Sequence, residues 1–133
     1  MIYKYIIRVS PITKKNSQRI LINKRTGKPF IAQSAAYKRY EAAALWCLYP
    51  KPKKPLEGRY RVATVFYMPT RRRVDLANLI GSAHDVLVAG KILADDNCSI
   101  IASVDGSRVL YDKENPRTEI FIEEMEDEAD AHL

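Results

Sequence analysis

Residues 75–90, Asp-Leu-Ala-Asn-Leu-Ile-Gly-Ser-Ala-His-Asp-Val-Leu-Val-Ala-Gly, predict an amphipathic helix. Apolar side chains recur there at intervals of three and four residues, the spacing that places them on one buried face. These side chains are Leu76, Leu79, Ile80, Ala83, Val86 and Leu87. Asp75 is a suitable N-cap and Gly90 a suitable residue after the last turn. We therefore expect a helix from about Leu76 to Ala89.

Upstream of this helix the sequence predicts four strands and a second helix. The strands are indicated by alternating apolar and β-branched residues, and they cover residues 2–9, 19–23, 29–32 and 60–68. Gly27 lies in the turn that joins the second strand to the third as a hairpin. Ser34 can cap a helix that runs to about Leu48. The proline- and lysine-rich residues 50–55 cannot continue that helix, because proline lacks the backbone N–H.

Downstream of the Leu76–Ala89 helix the sequence predicts three more strands. Residues 99–104 and 108–111 flank an Asp105–Gly106 turn, and residues 118–122 form the last strand. The residues from Glu123 onward are acidic and show no apolar periodicity, which is typical of a frayed tail.

Length and composition indicate one globular domain. The chain has 133 residues, of which 47% are hydrophobic and 29% charged, enough apolar material for a core. The order of the predicted elements indicates an α+β fold, with a mixed or antiparallel sheet covered by two main helices. We expect the domain to cover residues 1–122 and the acidic tail to cover residues 123–133.

Several classes of protein are excluded by what the sequence lacks. No apolar run approaches the roughly 18 residues of a membrane helix, and the N-terminus has no signal-peptide pattern. The two cysteines, Cys47 and Cys98, cannot build a disulfide framework, so we expect thiols in a reducing cytoplasm. There is no glycine-rich phosphate loop, which argues against a nucleotide cofactor.

Charge is divided unevenly along the chain. Residues 1–73 carry eighteen Lys or Arg and two acidic residues, a net of +16, whereas residues 74–133 carry four basic and fourteen acidic residues, a net of −10. Solvated surfaces of opposite sign would explain this division, but the net charge of residues 1–73 exceeds what solubility requires. It predicts a binding site for a polyanion in one half and a cluster of carboxylates in the other.

Four aspartates follow a cluster of three arginines within a short stretch. Asp75 opens the predicted helix, Asp85 lies inside it, and Asp95 and Asp96 come after it. Hydrolysis of a phosphodiester with Mg²⁺ or Mn²⁺ needs carboxylate oxygens at one point, with cations beside them for the phosphates. The alternative is structural, with Asp75 as a helix cap and Asp95–Asp96 as a turn.

The aromatic residues and His84 have mainly structural interpretations. Trp46, Tyr37 and Tyr40 are expected in the core or in dimer contacts, and Tyr49, beside the basic connector, is the best candidate for stacking on a base. His84 is expected to pack or to lie at the surface, although its neighbour Asp85 would allow a role near a metal.

The stretch from Arg71 to Asp96 resembles the RusA family of Holliday-junction endonucleases. The family signature is approximately Asp-x-Asp-Asn-Leu-x-Lys, a helix with Asp-x-Leu, then Ala-Gly and a closing Asp-Asp. This chain has Asp75-Leu76-Ala77-Asn78-Leu79, then Asp85-Val86-Leu87, Ala89-Gly90 and Asp95-Asp96. The resemblance covers about residues 2–122, and its specific part is residues 71–97.

The resemblance implies a small homodimer, often prophage-encoded, that cuts four-way DNA junctions symmetrically with Mg²⁺ or Mn²⁺. Carried over by position, Asp75 and Asp96 are the implied metal-site residues, and Asp85 and Asp95 match further signature positions. Two matches fail, because Ala77 stands where the family often has its second aspartate and Gly81 where it often has a catalytic lysine. Asp85 or Asp95 are candidates for the missing oxygen, and Lys91 or an arginine of 71–73 for the missing cation.

Basic residues are the candidates for contacts with the DNA backbone. The set consists of Lys14, Lys15, Arg19, Lys24, Arg25, Lys28, Arg71, Arg72 and Arg73, with Lys51, Lys53 and Lys54 of the connector. Phosphate contacts carry no base code, so we expect recognition of branched DNA by shape and a steep dependence on salt. Two other functions remain open. One is a junction-binding protein that has lost cleavage, and the other is a general nucleic-acid-binding module whose carboxylates only cap a helix and stabilise turns.

Overall fold

The computed structural model of the chain describes residues 2–13 and 18–126. The elements in chain order are β1 (Ile2–Ile7), β2 (Gln18–Ile22), β3 (Pro29–Gln33), α1 (Ala35–Trp46), β4 (Tyr60–Met68), α2 (Leu76–Ala89), β5 (Ile101–Ser103), β6 (Arg108–Tyr111) and β7 (Arg117–Glu124). The fold is α+β with two helices and a mixed sheet, as the order of elements predicted.

A five-stranded sheet forms the centre of the molecule. β7 lies between β1 and β4 and is antiparallel to both, with Ile120 opposite Tyr5 on one side and Thr64 on the other. β4 is buried along nearly its whole length, which explains its almost continuous run of apolar residues. It is therefore the strand that the rest of the domain packs around.

The two strands predicted around the Asp105–Gly106 turn are present as β5 and β6. They do not pair with each other; both run parallel to β4, one after the other along the same edge. Ser107 lies at the interruption, where its Oγ accepts a hydrogen bond of 3.0 Å from the backbone N–H of Thr64. The side chain thus satisfies a donor of β4 that a continuous strand would have paired.

Both helices begin at the predicted caps. The Ser34 hydroxyl accepts from the Tyr37 N–H at 3.1 Å, and the Asp75 carboxylate accepts from the Asn78 N–H at 3.1 Å. α2 has the predicted bounds, whereas α1 ends at Trp46, two residues before the predicted end. The buried residues of the helices face the sheet and include Tyr37, Tyr40, Ala44, Leu79, Ala83, Val86 and Leu87.

β2 and β3 form a hairpin that is a sheet of its own. Gly27 has a positive φ of 71°, the conformation for which the sequence placed a glycine in this turn. Ile20, Ile22 and Ile31 are exposed, so the hairpin leaves apolar side chains uncovered. An isolated two-stranded hairpin is marginally stable in water, so this element gains from any surface that covers it.

The last strand is longer than predicted. β7 continues through Glu123 and Glu124, which pair with Arg61 and Tyr60 of β4, and a Glu123 oxygen lies 3.4 Å from the Arg61 guanidinium. The first residues of the predicted tail are therefore held in the sheet, because strand pairing and a basic partner offset their low β-propensity. Residues 127–133 of that tail lie outside the described residues. No helix in the described ranges has the length and apolar character to cross a bilayer.

The end of α1 packs on the end of α2 through Gly90. A Cβ at this position would lie 2.5 Å from Leu48 Cδ1, 3.1 Å from the Val86 carbonyl and 3.2 Å from Leu45 Cδ2. A Cβ at Gly81, in the middle of α2, would have no neighbouring atom within 4 Å. The two glycines of this helix therefore differ in the space around them.

Gly90→Ala is expected to lower the free energy of unfolding by about 1–2 kcal/mol, because the added methyl overpacks this contact. Gly81→Ala is the matched control and should raise it by about 0.5–1 kcal/mol, since alanine favours an open helical position. Urea denaturation of both variants measures the difference. Equal stability of Gly90→Ala and the parent chain would contradict the described packing.

Candidate functional site

Asp75 lies at the start of α2, directly after the exposed segment Arg71–Arg73. One of its oxygens, Oδ1, caps the helix through the Asn78 N–H. The side chain is exposed, and Oδ2 accepts no hydrogen bond from the described residues. Asp75 therefore combines a structural contact on one oxygen with an oxygen that is available to a ligand.

Asp95 and Asp96 have different environments although they are neighbours. The Asp95 carboxylate accepts from the Asp96 N–H at 2.7 Å and from the Asn97 amide at 3.0 Å. These hydrogen bonds hold the pKa of Asp95 below its ordinary value, because they favour the charged form. Asp96 is exposed, and its side chain interacts with the Asp95 carboxylate. Asp95 thus stabilises the loop through its hydrogen bonds to Asp96 and Asn97, and Asp96 is the candidate ligand of the pair.

His84 of α2 lies within electrostatic range of Asp85 and Asp96. Burial lowers the pKa of its imidazole, and the charges of Asp96 and Asp85 oppose that shift. Its Nε2 is buried and makes no hydrogen bond to the described residues. The loop after α2 therefore leaves Asp96 close enough to His84 for its charge to act on the imidazole.

Asp75 and His84 stand at different levels of α2. Nine residues separate them, a rise of about 13 Å along the helix axis. In the described ranges no group of three or more acidic, histidine or cysteine side chains is arranged to hold a metal ion. The expected convergence of the carboxylates on one metal ion is thus not seen within the described ranges, although the charges of Asp85 and Asp96 act on His84.

Ala77, Gly81 and His84 follow one another along the same side of α2, because residues four and three apart lie on one face of a helix. Ala77 and Gly81 are exposed, and the space beside Gly81 is open. Between Asp75 and His84 this side of the helix therefore carries only small, uncharged residues. The space beside Gly81 would admit a larger side chain.

Arginine side chains flank the start of α2. The Arg71 guanidinium lies over the Tyr111 ring, 4.3 Å from its centroid, and both residues line a cleft of about 320 Å³. The Asp112 N–H donates to the Met68 carbonyl at 2.9 Å, which ties the end of β6 to the end of β4. Tyr111, which the sequence gave no reason to single out, thereby holds an arginine in place.

Residues 11–13 approach the same region from the N-terminal part of the chain. Pro11, Ile12 and Thr13 line a cleft of about 210 Å³ together with Arg72 and Val74. Lys14 and Lys15 of the predicted basic loop lie outside the described residues.

Other predicted basic residues lie on the hairpin. Lys24, Arg25 and Lys28 are exposed at its turn, and Arg19 belongs to β2. Backbone N–H groups of the turn donate to the Asn23 side chain, which fixes its shape. With exposed Lys51, Lys53 and Lys54 of the connector, cations lie at three places, the third being between α1 and β4.

Trp46 is 88% exposed at the end of α1, and Tyr49 nearby is 83% exposed. Tyr37 and Tyr40 are buried in the core, as predicted. Trp46 lies two residues after buried Ala44 and two before buried Leu48, which places it on the outer side of the turn. Of its two expected positions the core is therefore wrong, and a dimer contact stays a prediction.

A family model described as "Endodeoxyribonuclease RusA" matches residues 9–123. The chain belongs to the RusA endodeoxyribonuclease family. The match spans both helices, the sheet apart from β1, and the loop with Asp95 and Asp96, so it covers the described elements of the candidate site. A comparison with curated proteins gives no match.

Membership of the RusA family carries an endodeoxyribonuclease role of the kind that resolves Holliday junctions. The arrangement around α2 agrees with a polyanionic substrate, because exposed carboxylates stand next to exposed arginines. Three residues that match the RusA signature lie on one helix: Asp75 caps α2, and Asn78 and Asp85 lie within it. The closing pair of the signature, Asp95 and Asp96, lies in the loop that follows α2.

Arg72→Gln and Arg73→Gln are each expected to weaken binding of a four-way junction by roughly threefold to tenfold, because each removes a cation that pairs with a phosphate. Each should also reduce the slope of log affinity against log salt by about 0.9. Electrophoretic mobility shifts over a range of salt concentrations measure both quantities. Arg108→Gln, an exposed arginine of the acidic half, is the control and should change neither.

Proposed function

We propose that this RusA family member is a Mg²⁺- or Mn²⁺-dependent endodeoxyribonuclease that resolves four-way DNA junctions, with Asp75 and Asp96 as its metal-binding carboxylates. The observation that carries the proposal is the position of Asp75, whose exposed carboxylate follows immediately after three exposed arginines. A dication and a phosphate backbone would meet there. A cytoplasmic location and a prophage origin stay predictions.

The oxygens of Asp75 and Asp96 suit a small hard cation. Mg²⁺ is commonly held by one or two carboxylates together with waters and substrate phosphates, and rarely by a cage of protein ligands alone. Exposed carboxylates that the described residues do not gather into a cage fit that mode better than a permanent structural site. Bound there, the cation would supply charge that polarises the phosphodiester and acidifies a water molecule.

Other side chains near α2 have supporting roles in this proposal. Asp95 fixes the backbone of Asp96 through its short hydrogen bond, and it therefore orients a ligand without binding the metal itself. Asp85 shares the neighbourhood of His84 with Asp96 and is the candidate for the oxygen that Ala77 lacks. Arg72 and Arg73 would hold the phosphates on either side of the scissile bond.

A homodimer is part of the proposal, because symmetric cutting of a junction requires two active sites. The β2–β3 hairpin supports it, since Ile20, Ile22 and Ile31 leave an apolar face that a second copy would cover. The basic tip of the hairpin, with Lys24, Arg25 and Lys28, would then lie beside the interface and contact the arms of the DNA.

Ala77 and Gly81 favour a second candidate function, a junction-binding protein without cleavage. Neither residue supplies the carboxylate or the lysine that is usual in the family, and no described neighbour occupies the space beside Gly81. Binding of junctions would survive, because the arginines and the hairpin are present.

Asp75→Asn and Asp96→Asn are each expected to lower Mn²⁺-dependent cleavage of a synthetic four-way junction by at least about 100-fold, because each removes a charged metal ligand. Junction affinity measured in EDTA should stay unchanged. Asparagine also caps helices well, so Asp75→Asn keeps the start of α2 intact.

Asp105→Asn is the matched control for these variants, since Asp105 is an exposed carboxylate in the turn between β5 and β6 and is no member of the candidate site. It should cut like the parent chain. Background cleavage by all four proteins, with junction binding retained, would remove the enzyme proposal and favour the binding protein.

Ala77→Asp with Gly81→Lys is expected to raise cleavage by about tenfold or more, because it returns a carboxylate and a cation to an open face of α2. Gly81→Ala controls for helix stability and should leave cleavage unchanged. Gel analysis of nicked products measures the rates. A folded double variant that cuts no faster than the parent chain would show that other residues already fill these roles.

A further inference from the structure

Trp46 and Tyr49 form an exposed aromatic pair at the end of α1. With exposures of 88% and 83%, they are the most exposed of the large hydrophobic side chains among the described residues. Aromatic rings gain considerably from burial, so two of them in solvent mark a surface with a partner. Together with Ala42, Leu45, Leu48 and Lys51 they line a cleft of about 450 Å³.

The backbone that carries these two rings is firmly held. Leu48, between them and the core, is buried, and it would contact any side chain at Gly90. The Tyr5 hydroxyl donates to the Pro50 carbonyl at 2.7 Å and ties the segment to β1. Rings that face solvent from a fixed backbone lose little freedom when a flat partner stacks on them.

The charges around the pair are positive. Residues 47–56 contain three lysines, Lys51, Lys53 and Lys54, all exposed, and no acidic residue. The prolines among them restrict the backbone, and Lys51 lines the same cleft as the two rings. Aromatic faces combined with a basic track are the features with which proteins bind single-stranded nucleic acid.

The same charges argue against a second copy of the chain as the partner. A two-fold interface brings a patch onto itself. It would therefore place the three lysines of one protomer next to the three of the other, at a cost in repulsion. A polyanion with unpaired bases satisfies both the rings and the lysines.

We propose that Trp46 and Tyr49 stack on unpaired bases of single-stranded DNA while Lys51, Lys53 and Lys54 bind its phosphates. This inference rests on the proposed function only in taking DNA as the substrate. α2 has 14 residues and is about 21 Å long, and it separates the aromatic pair, beside Gly90, from Asp75. That length corresponds to about six base pairs of duplex, so the pair would hold strands opened away from the point of cleavage.

Trp46 is the single tryptophan of the chain, so its fluorescence reports on this site alone. A twelve-nucleotide oligothymidylate, added without metal, should quench that fluorescence on binding. Anisotropy of the labelled oligonucleotide should show a loss of affinity of about 10- to 100-fold for Trp46→Leu and for Tyr49→Leu. Trp46→Phe retains an aromatic face and should bind within about threefold of the parent chain.

Ile2→Ala, an exposed apolar residue on β1, is the matched control and should bind the oligonucleotide like the parent chain. Absence of quenching together with unchanged affinity of Trp46→Leu would overturn the proposal. So would a change in oligomeric state of Trp46→Leu without a change in oligonucleotide affinity, because it would assign the patch to a second copy.

The measurement is independent of the nuclease proposal because no cleavage is needed. Oligonucleotide binding through Trp46 by a chain that fails to cut junctions would leave the aromatic site standing and remove the enzyme. Junction cleavage that depends on Asp75 and Asp96, without any effect of Trp46→Leu on oligonucleotide affinity, would do the reverse.

Discussion

The pairing of β4 with β7 is the contact on which the position of the site depends. Eight residue pairs, from Tyr60 opposite Glu124 to Tyr67 opposite Arg117, fix the register of β4 in the middle of the sheet. At the exit end the Arg117 guanidinium lies 3.7 Å from the Tyr67 ring centroid and bonds Asp112 and Glu119 at 2.9 and 2.8 Å. These contacts fix the point at which the arginines leave the sheet and α2 begins.

Much of this architecture could be predicted from local sequence. The bounds of α2 follow from its caps and its apolar stripe, signals that act within a few residues. The pairing of β5 and β6 could not be predicted, because an Asp-Gly turn suits both a hairpin and a loop along one sheet edge. The hydroxyl of Ser107, which satisfies Thr64, becomes meaningful only once the two segments are aligned on β4.

The site was predictable in its residue types and less so in its arrangement. Asp75 beside the arginines is a local feature of the sequence, and it is found as expected. The position of Asp96 within electrostatic range of His84 depends on the path of the loop after Gly90, which no pattern of apolar residues specifies. The aromatic character of Trp46 does not say whether it is buried, and its place off the apolar stripe of α1 accounts for its exposure.

Asp75 performs two tasks with a single carboxyl group, since one oxygen holds the first turn of α2 and the other is the proposed ligand. An alanine there would unravel the helix start and displace the neighbouring arginines at the same time as it removed the charge. The same carboxyl group therefore serves both the helix and the proposed metal site. If a small apolar residue at position 75 abolished function, that result alone would not say which of the two roles was lost. The same requirement limits which residues can replace Asp75 without cost to the fold: they are the side chains that still cap the helix, whether or not they bind a cation.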